Sequence, residues 1–299
     1  MKSVLTVIAA SDKEKLGQGL VNDIVKALEG AGAQVIGQDW LAPDEACDIV
    51  FSKLEPVAAE EAARAVIGDL AIDCLAQDTD GRQKKLLISD MDSTIITIEC
   101  IDEIADFAGI KEQVAAITER AMRGELDFIA ALRERVELLK GLEASVLQQV
   151  YNERVRFMPG ARELVQTMRA NGAYTLLVSG GFDFFTSRVQ EALGFHDNSA
   201  NRLEVSEGRL TGHVLDPILD KQAKLSALMQ ACGENNLSTS QSLAVGDGAN
   251  DLPMIMAAGL GAAYHAKPVV QQSARARINH CDLTALLYMQ GYRKDEFVK

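Results

Sequence analysis

Residues 85–94 read KLLISDMDST, a short apolar run that ends in two closely spaced aspartates. Such a run is typical of a strand buried on both faces of a sheet. Extended backbone at its end directs Asp90 and Asp92 to one side and Met91 to the other. Two carboxylates this close repel each other unless a cation lies beside them, so the pair indicates a divalent metal.

Two further runs, at residues 174–179 and 242–245, have the same character, and helical stretches separate the three. The pattern predicts α/β architecture with a Rossmann-like parallel sheet, in which ligands bind outside the carboxyl ends of the strands. The second run ends in SGG (179–181) and the third in GDGAND (246–251). We expect both loops to lie beside Asp90 and Asp92.

Each of these acids, taken alone, also fits a helix N-cap or a loop. Four acids at two strand ends, with SGG at a third, make coincidence improbable. Carboxylate oxygens in such a cluster suit Mg²⁺, which takes one or two carboxylates together with substrate phosphate and water. The cluster therefore favours a magnesium site that handles a phosphate compound.

The first part of the chain has a different pattern. Its apolar runs and one helical period, with Leu16, Leu20, Ile24 and Leu28 four residues apart, predict the order β-α-β-β-α-β and a ferredoxin-like α+β domain. The predicted strands are 3–9, 33–40, 49–54 and 69–74, and the second helix is 57–67. The polar segment 77–83 indicates a boundary between a domain at 1–77 and another at 84–299.

Residues 101–151 are strongly helical and far longer than a simple crossover between strands requires. They predict a helical cap inserted at about 101–157. A later segment alternates in character around Ser206-Glu207-Gly208 and predicts a hairpin of 202–205 with 209–214.

Composition excludes several classes of protein. The 299 residues carry a formal charge of −13, with 6 basic and 15 acidic residues among the first 80, which disfavours nucleic acid and anionic membranes as partners. We find neither an apolar run that would span a membrane nor a convincing secretory signal, so we expect a cytoplasmic protein. Five widely spaced cysteines without a CxxC pair are expected to be reduced.

The loops DMDST, SGG and GDGAND, with a lysine in helical context, resemble the four motifs of the haloacid dehalogenase-like phosphohydrolases. The similarity spans roughly residues 84–270 and is greatest to the members that act on phosphoserine. Four stretches carry it: DMDSTIITIECIDEIA (90–105), RAMRGELDFIAALRERV (120–136), VSGGFDFF (178–185) and GDGANDLPMI (246–255). Met91 departs from the phenylalanine common there, and a methionine fills such core space readily.

The resemblance implies hydrolysis of O-phospho-L-serine to L-serine and phosphate, the last step of L-serine biosynthesis. Asp90 would be the nucleophile that forms an aspartyl phosphate. Asp92 would protonate the departing seryl oxygen and then deprotonate the attacking water.

The family pattern also implies the ligand contacts. Mg²⁺ would be held by Asp90, Asp247 and the backbone carbonyl of Asp92, with Asp251 positioning metal-bound water. The phosphate would contact Lys224, the Ser179 hydroxyl, the Gly180 N–H and Asn250. Lys221, one helical turn before Lys224, is a competing candidate for the motif lysine.

Substrate selection would depend on Glu99 for the ammonium and Arg135 for the carboxylate. Without the resemblance, the solvated face of a charged helix is the preferred interpretation of Arg135. Met122 and Phe128 match positions where the family's cap closes over the substrate, and core packing is an equal alternative for both.

Two rival functions remain open at this point. One is a phosphotransferase that passes the phosphoryl group from phosphoserine to an alcohol such as homoserine. The other is a non-catalytic sensor of an amino acid or phosphate. The first domain resembles ACT-type modules, which makes it a candidate for regulation or for assembly of a homodimer.

Overall fold

The computed structural model describes residues 2–10, 13–122 and 125–299, without the side chain of Met122. The strands are β1 (Ser3–Ala9), β2 (Gln34–Ala42), β3 (Ala46–Ser52), β4 (Ile72–Asp78), β5 (Leu86–Ser89), β6 (Tyr174–Phe182), β7 (Asp197–Ser206), β8 (Arg209–Leu215), β9 (Ser242–Gly246), β10 (Leu260–Tyr264) and β11 (Ala276–Ile278). The helices are α1 (Gln18–Gly30), α2 (Pro56–Ile67), α3 (Cys100–Phe107), α4 (Lys111–Met122), α5 (Phe128–Glu137), α6 (Ser145–Arg154), α7 (Ala161–Ala170), α8 (Asp183–Leu193), α9 (Lys221–Glu234), α10 (Leu252–Ala257), α11 (Pro268–Ser273) and α12 (Ala285–Met289).

The first sheet is antiparallel, with the order β2-β3-β1-β4, and α1 and α2 pack on one of its faces. This arrangement confirms the ferredoxin-like prediction. Strand β3 begins at Ala46, three residues earlier than predicted. The prediction started after the polar Asp48, but this residue is buried within the strand. The Asp48 carboxylate accepts a hydrogen bond from Thr6 at 2.6 Å and pairs with Arg82 at 2.7 Å. These partners allow a charge to lie in a buried strand.

The second sheet has seven strands in the order β11-β10-β9-β5-β6-β7-β8. All neighbouring pairs are parallel except β7 with β8, which forms the predicted hairpin. The Rossmann-like prediction is therefore confirmed. Strand β5 lies at the centre, so Asp90, the end of β6 and the loop after β9 meet at one sheet edge, as expected. The SGG stretch (179–181) is not the predicted loop, because β6 continues through it to Phe182. Strands β10 and β11 were not predicted.

Helices α3 to α6 occupy the segment predicted to form the cap. The loop between α5 and α6 is attached to the β7–β8 hairpin, because the Gly141 N–H donates to Leu210 at 2.8 Å and the Leu210 N–H donates to Leu142 at 2.9 Å. Gly212 permits this approach: its φ is +86°, and an added Cβ would lie 3.0 Å from that of Lys140. One side of the cap is thus anchored to the hairpin.

The face of the first sheet opposite α1 and α2 packs on the C-terminal part of the chain. Ile8 and Leu75 belong to the same buried cluster as Tyr288 and Met289. The Asp73 carboxylate accepts hydrogen bonds from the backbone N–H groups of residues 279, 280 and 281 at 2.9 to 3.0 Å. These contacts fix the position of the first sheet relative to the second. Across the described residues, every helix is too short or too polar to cross a bilayer.

Candidate active site

Asp90 lies directly after the central strand β5 and is 5% exposed. Its backbone N–H donates to the carbonyl of Val245 in β9 at 3.0 Å, which aligns the ends of the two strands. Burial and the neighbouring charge of Asp251 raise the pKa of Asp90, while Lys224 opposes them. A cation beside this carboxylate would favour its ionised, nucleophilic form.

Lys224 is held in the site by helix α9. The Asp220 side chain caps this helix by accepting from the backbone N–H groups of Gln222 and Ala223, both at 2.9 Å. One turn later, the buried Lys224 Nζ lies 2.6 Å from an oxygen of Asp90 and 2.6 Å from one of Asp251. Burial lowers the pKa of Lys224, but the two carboxylates outweigh it and raise the pKa. Lys221 is exposed, so Lys224 is the lysine that reaches the cluster.

Three carboxylates form a group suited to a metal ion. Oxygens of Asp90, Asp247 and Asp251 all lie within 4.8 Å of one another. Burial and Asp251 raise the pKa of Asp247 to about 6, and Thr94 donates a hydrogen bond to it at 3.4 Å. Lys224 alone leaves this group with excess negative charge. Because Mg²⁺ prefers such oxygen donors, the residues fit the ion that the sequence implied.

Two glycines in GDGAND allow the loop to fold over its own carboxylate. A Cβ on Gly246 would lie 2.4 Å from an oxygen of Asp251, and one on Gly248 would lie 2.2 Å from the Asn250 side chain. The Gly248 N–H instead donates to Asp251 at 3.1 Å. The spacing of these glycines therefore fixes where the Asp251 carboxylate lies.

Asp92 faces the same cavity with both oxygens bonded. One accepts from the backbone N–H of Cys100 at 3.2 Å and the other from the Ser179 hydroxyl at 3.3 Å. Burial and the charge of Glu99 raise the pKa of Asp92 to about 7. A carboxyl group in this range can both give and take a proton near neutral pH, as a general acid and base must.

Glu99 and Arg135 lie at the cap side of the cavity. The Ser93 hydroxyl donates to Glu99 at 2.7 Å and orients it. Burial lowers the pKa of Arg135, and the charges of Asp102 and Glu99 oppose this effect. Arg135 is thus partly buried within reach of two carboxylates. The structure does not place it on a solvated helix face, which was the alternative from sequence.

One cavity of about 250 Å³ brings most of the predicted residues together. Its lining includes Asp90, Asp92, Glu99, Arg135, Ser179, Gly180, Asp247 and Asn250. Lys224 and Asp251 lie behind Asp90 and contact it or each other. The Phe128 ring covers the C-terminal end of β6, 3.3 Å from a Cβ built on Gly180. The side chain of Met122 lies outside the described residues.

Sequence analysis missed three polar side chains of the lining: Asp102, Thr118 and Lys267. Asp102 follows Glu99 by three residues at the start of α3, a spacing that places both on one helix face. Lys267 follows β10, and identification of that strand would have drawn attention to its carboxyl end. No simple signal marks Thr118.

The arrangement defines a class of protein: a hydrolase in which acidic loops at one edge of a parallel sheet face an inserted helical cap. Comparison with known proteins agrees. The haloacid dehalogenase-like hydrolase family model matches residues 87–256. A phosphoserine phosphatase of Polaromonas sp. is 50% identical over 208 residues, which cover 68% of this chain and 88% of that protein.

Two solved structures resemble almost the whole chain. A HAD family hydrolase of Salmonella enterica serovar Typhi has a TM-score of 0.85 at 29% identity, covering 97% of this chain and 98% of that one. A probable phosphoserine phosphatase of Vibrio cholerae has a TM-score of 0.79 at 33% identity, covering 98% and 88%. The chain belongs to the haloacid dehalogenase-like hydrolase family.

Proposed function

We propose that this protein is a Mg²⁺-dependent phosphatase that hydrolyses O-phospho-L-serine to L-serine and phosphate. The observation that carries the proposal is the pairing of two sets of groups in one cavity. Asp90 and Asp92 can act on a phosphate, while Glu99 and Arg135 offer partners for an ammonium and a carboxylate. The relative from Polaromonas is named for this activity.

In the first step, an oxygen of Asp90 attacks phosphorus and the bond from phosphorus to the seryl oxygen breaks. Asp92 donates its proton to that oxygen, so serine leaves as the neutral alcohol. In the second step, Asp92 takes a proton from water as the water attacks phosphorus, and the bond to Asp90 breaks. The pKa of about 7 for Asp92 suits both transfers.

Binding depends mainly on alignment and on neutralising charge, which dominate phosphoryl transfer. The phosphate would contact Lys224, the Ser179 hydroxyl, the Gly180 N–H and Asn250. The Ser179 oxygen already accepts the Gly181 N–H at 2.8 Å, which leaves its own proton for Asp92 or the phosphate. The Phe128 ring over Gly180 would limit the access of stray water.

Mg²⁺ would be held by Asp90, Asp247 and the backbone carbonyl of Asp92, with Asp251 acting through metal-bound water. When bound, the ion would supply positive charge for the phosphate oxygens. The close carboxylate group supports this assignment. A role in the last step of L-serine biosynthesis follows from the proposed products, and five buried, unpaired cysteines fit the reducing cytoplasm.

A substrate panel tests the proposal directly. Phosphate release is measured with O-phospho-L-serine, other phosphate monoesters and an added alcohol such as homoserine, in Mg²⁺ or EDTA. We expect Mg²⁺-dependent release that is fastest with phosphoserine and unchanged by the alcohol. Transfer of phosphate to the alcohol would identify a phosphotransferase, and absence of turnover with intact binding would identify a sensor.

We also propose a homodimer formed through the first domain. Strand β2 lies at the edge of the first sheet, and its Ile36 is 49% exposed. An open strand edge is a surface that can pair with a second chain. Light scattering of the wild-type protein and of Ile36→Lys tests this point, since the substitution should yield monomers.

A further inference from the structure

Lys267 is a cation at the cavity that the proposed reaction does not use. It follows β10 at the same sheet edge as Asp90 and Asp247, and it lines the cavity. Its backbone N–H donates to the carbonyl of Asp247 at 3.1 Å, which fixes this part of the chain beside the acidic loop. The side chain is exposed, and it forms no ion pair with any residue that the structure describes.

The other lysine of the site is not free in the same way. Lys224 is 1% exposed and already contacts two carboxylates at 2.6 Å. Its charge stabilises the carboxylates of Asp90 and Asp251, and its ammonium group is shielded from solvent. Lys267 therefore differs from Lys224 in being available to a ligand that is still entering.

Negative charge dominates the cavity lining. Arg135 and Lys267 are the cations of the cavity lining, and the carboxylates there are Asp90, Asp92, Glu99, Asp102 and Asp247. The whole chain carries −13 as well. A phosphate monoester with about two negative charges meets repulsion along this approach. Arg135 lies at the cap side, where it suits the carboxylate, so Lys267 is the exposed cation of the lining that can meet an incoming phosphate.

The positive charge of Lys267 lies near the acidic loop GDGAND (246–251). The backbone bond from Lys267 to Asp247 holds the lysine beside this loop, and both residues line the same cavity. A lysine on a flexible stem can contact a phosphate oxygen and then release it, because its three donors are not bound to one geometry. Such a group suits transient capture better than fixed binding.

We propose that Lys267 captures the phosphate group of the incoming substrate at the cavity entrance and passes it to the fixed donors Ser179 and Lys224. This inference rests on the proposed function. It adds a second recognition element to it: Arg135 selects the carboxylate, whereas Lys267 attracts the phosphate whatever the rest of the molecule carries. Charge steering of this kind raises association rates by tenfold or more at low ionic strength.

The test compares Lys267→Gln, Lys267→Arg and the wild type. Lys221→Gln is the control, because it removes an exposed lysine that lies one helical turn before Lys224. At about 20 mM salt, Lys267→Gln should lower kcat/KM for phosphoserine by about tenfold, with kcat within about twofold. At about 500 mM salt the loss should shrink to about twofold. Lys267→Arg should keep most of the activity, and phenyl phosphate should show the same loss as phosphoserine.

A readout without turnover separates this inference from the proposed function. Titration calorimetry with inorganic phosphate and Mg²⁺ should show severalfold weaker binding to Lys267→Gln than to Lys221→Gln. If the wild type fails to hydrolyse phosphoserine while this difference holds, the proposed substrate is wrong and the capture role stands. If Lys267→Gln behaves as Lys221→Gln, or loses activity equally at both salt concentrations, capture by Lys267 is wrong.

Discussion

Glu60 of α2 pairs with Arg275, a residue 215 positions later that precedes β11, with 2.8 Å between Oε2 and Nη1. Arg64 lies 2.9 Å from the other oxygen, and the Ala76 N–H donates to the carboxylate at 3.3 Å. The Glu60 side chain is 5% exposed. Arg277 lies 3.5 Å from the carboxylate as well. A buried carboxylate with several donors thus connects the two sheets, and its removal would leave three arginines without this partner.

This contact predicts a specific sensitivity to acid. Burial raises the pKa of Glu60, but the hydrogen bonds and charges of Arg275 and Arg64 outweigh it and lower the pKa below the ordinary value of 4.5. A carboxylate whose folded pKa is lowered stabilises the protein fully above its ordinary pKa and loses that contribution as pH falls through the folded pKa. The wild type should therefore lose stability below about pH 4.5.

The variant Glu60→Gln should be less stable at pH 7 by about 2 kcal/mol, because it leaves the arginines unpaired. Its disadvantage should diminish as the pH approaches 3, where the wild-type carboxylate is protonated too. Urea unfolding followed by circular dichroism at pH 7, 5 and 3.5 measures both effects. Glu61→Gln, at the next position of the same helix, is the matched control. A constant difference at all three values would contradict this account.

Loss of the Asp90 carboxylate should abolish turnover. Asp90→Asn removes the attacking oxygen and little volume, so kcat should fall by about a thousandfold or more. The fold should be preserved, because the change also relieves repulsion among buried carboxylates. Acid quenching with phosphorus-labelled substrate should trap a phosphoenzyme in the wild type and none in the variant. Retained turnover in Asp90→Asn would remove this residue from the nucleophile role.

The local sequence pattern predicted the residues of the candidate active site better than it predicted the structure around them. Asp90, Asp92 and the GDGAND loop follow short apolar strands, and parallel strands must present their carboxyl ends at one edge. Strand β10 reads LGAAY, and its small residues gave no sign of a strand, so Lys267 was missed. The position of the first sheet against the second depends on Asp73. Its hydrogen-bond partners lie more than 200 residues away, so no local sequence pattern predicts this contact.

Arg135 should determine selectivity for substrates that carry a carboxylate. Arg135→Ala should lower kcat/KM for phosphoserine by about 100-fold, because a partly buried charge pair is lost. For phenyl phosphate, which lacks the carboxylate, the loss should be no more than about threefold. Arg133→Ala, an exposed neighbour on α5, is the control and should leave both values unchanged. Equal losses on both substrates in Arg135→Ala would exclude Arg135 from carboxylate recognition.

The glycine before Asp247 should be required for the metal site. A Cβ on Gly246 would lie 2.4 to 2.7 Å from three atoms of the Asp251 side chain. Asp251 is fully buried, so neighbouring atoms oppose its displacement. Gly246→Ala should therefore move the Asp251 carboxylate and raise the Mg²⁺ concentration needed for half-maximal activity by about tenfold, since outer ligands commonly change metal affinity by that factor.

Gly233→Ala provides the matched control, because Gly233 lies in the last turn of α9 and an added Cβ there meets nothing within 4 Å. Alanine also restricts the unfolded chain more than glycine does, so this variant should keep or gain stability, by less than about 1 kcal/mol, without a change in Mg²⁺ requirement. Mg²⁺ titrations of activity and thermal unfolding of both variants separate the two effects. If Gly246→Ala lowers only the melting temperature and keeps the wild-type Mg²⁺ requirement, then the loop geometry sets stability rather than metal binding.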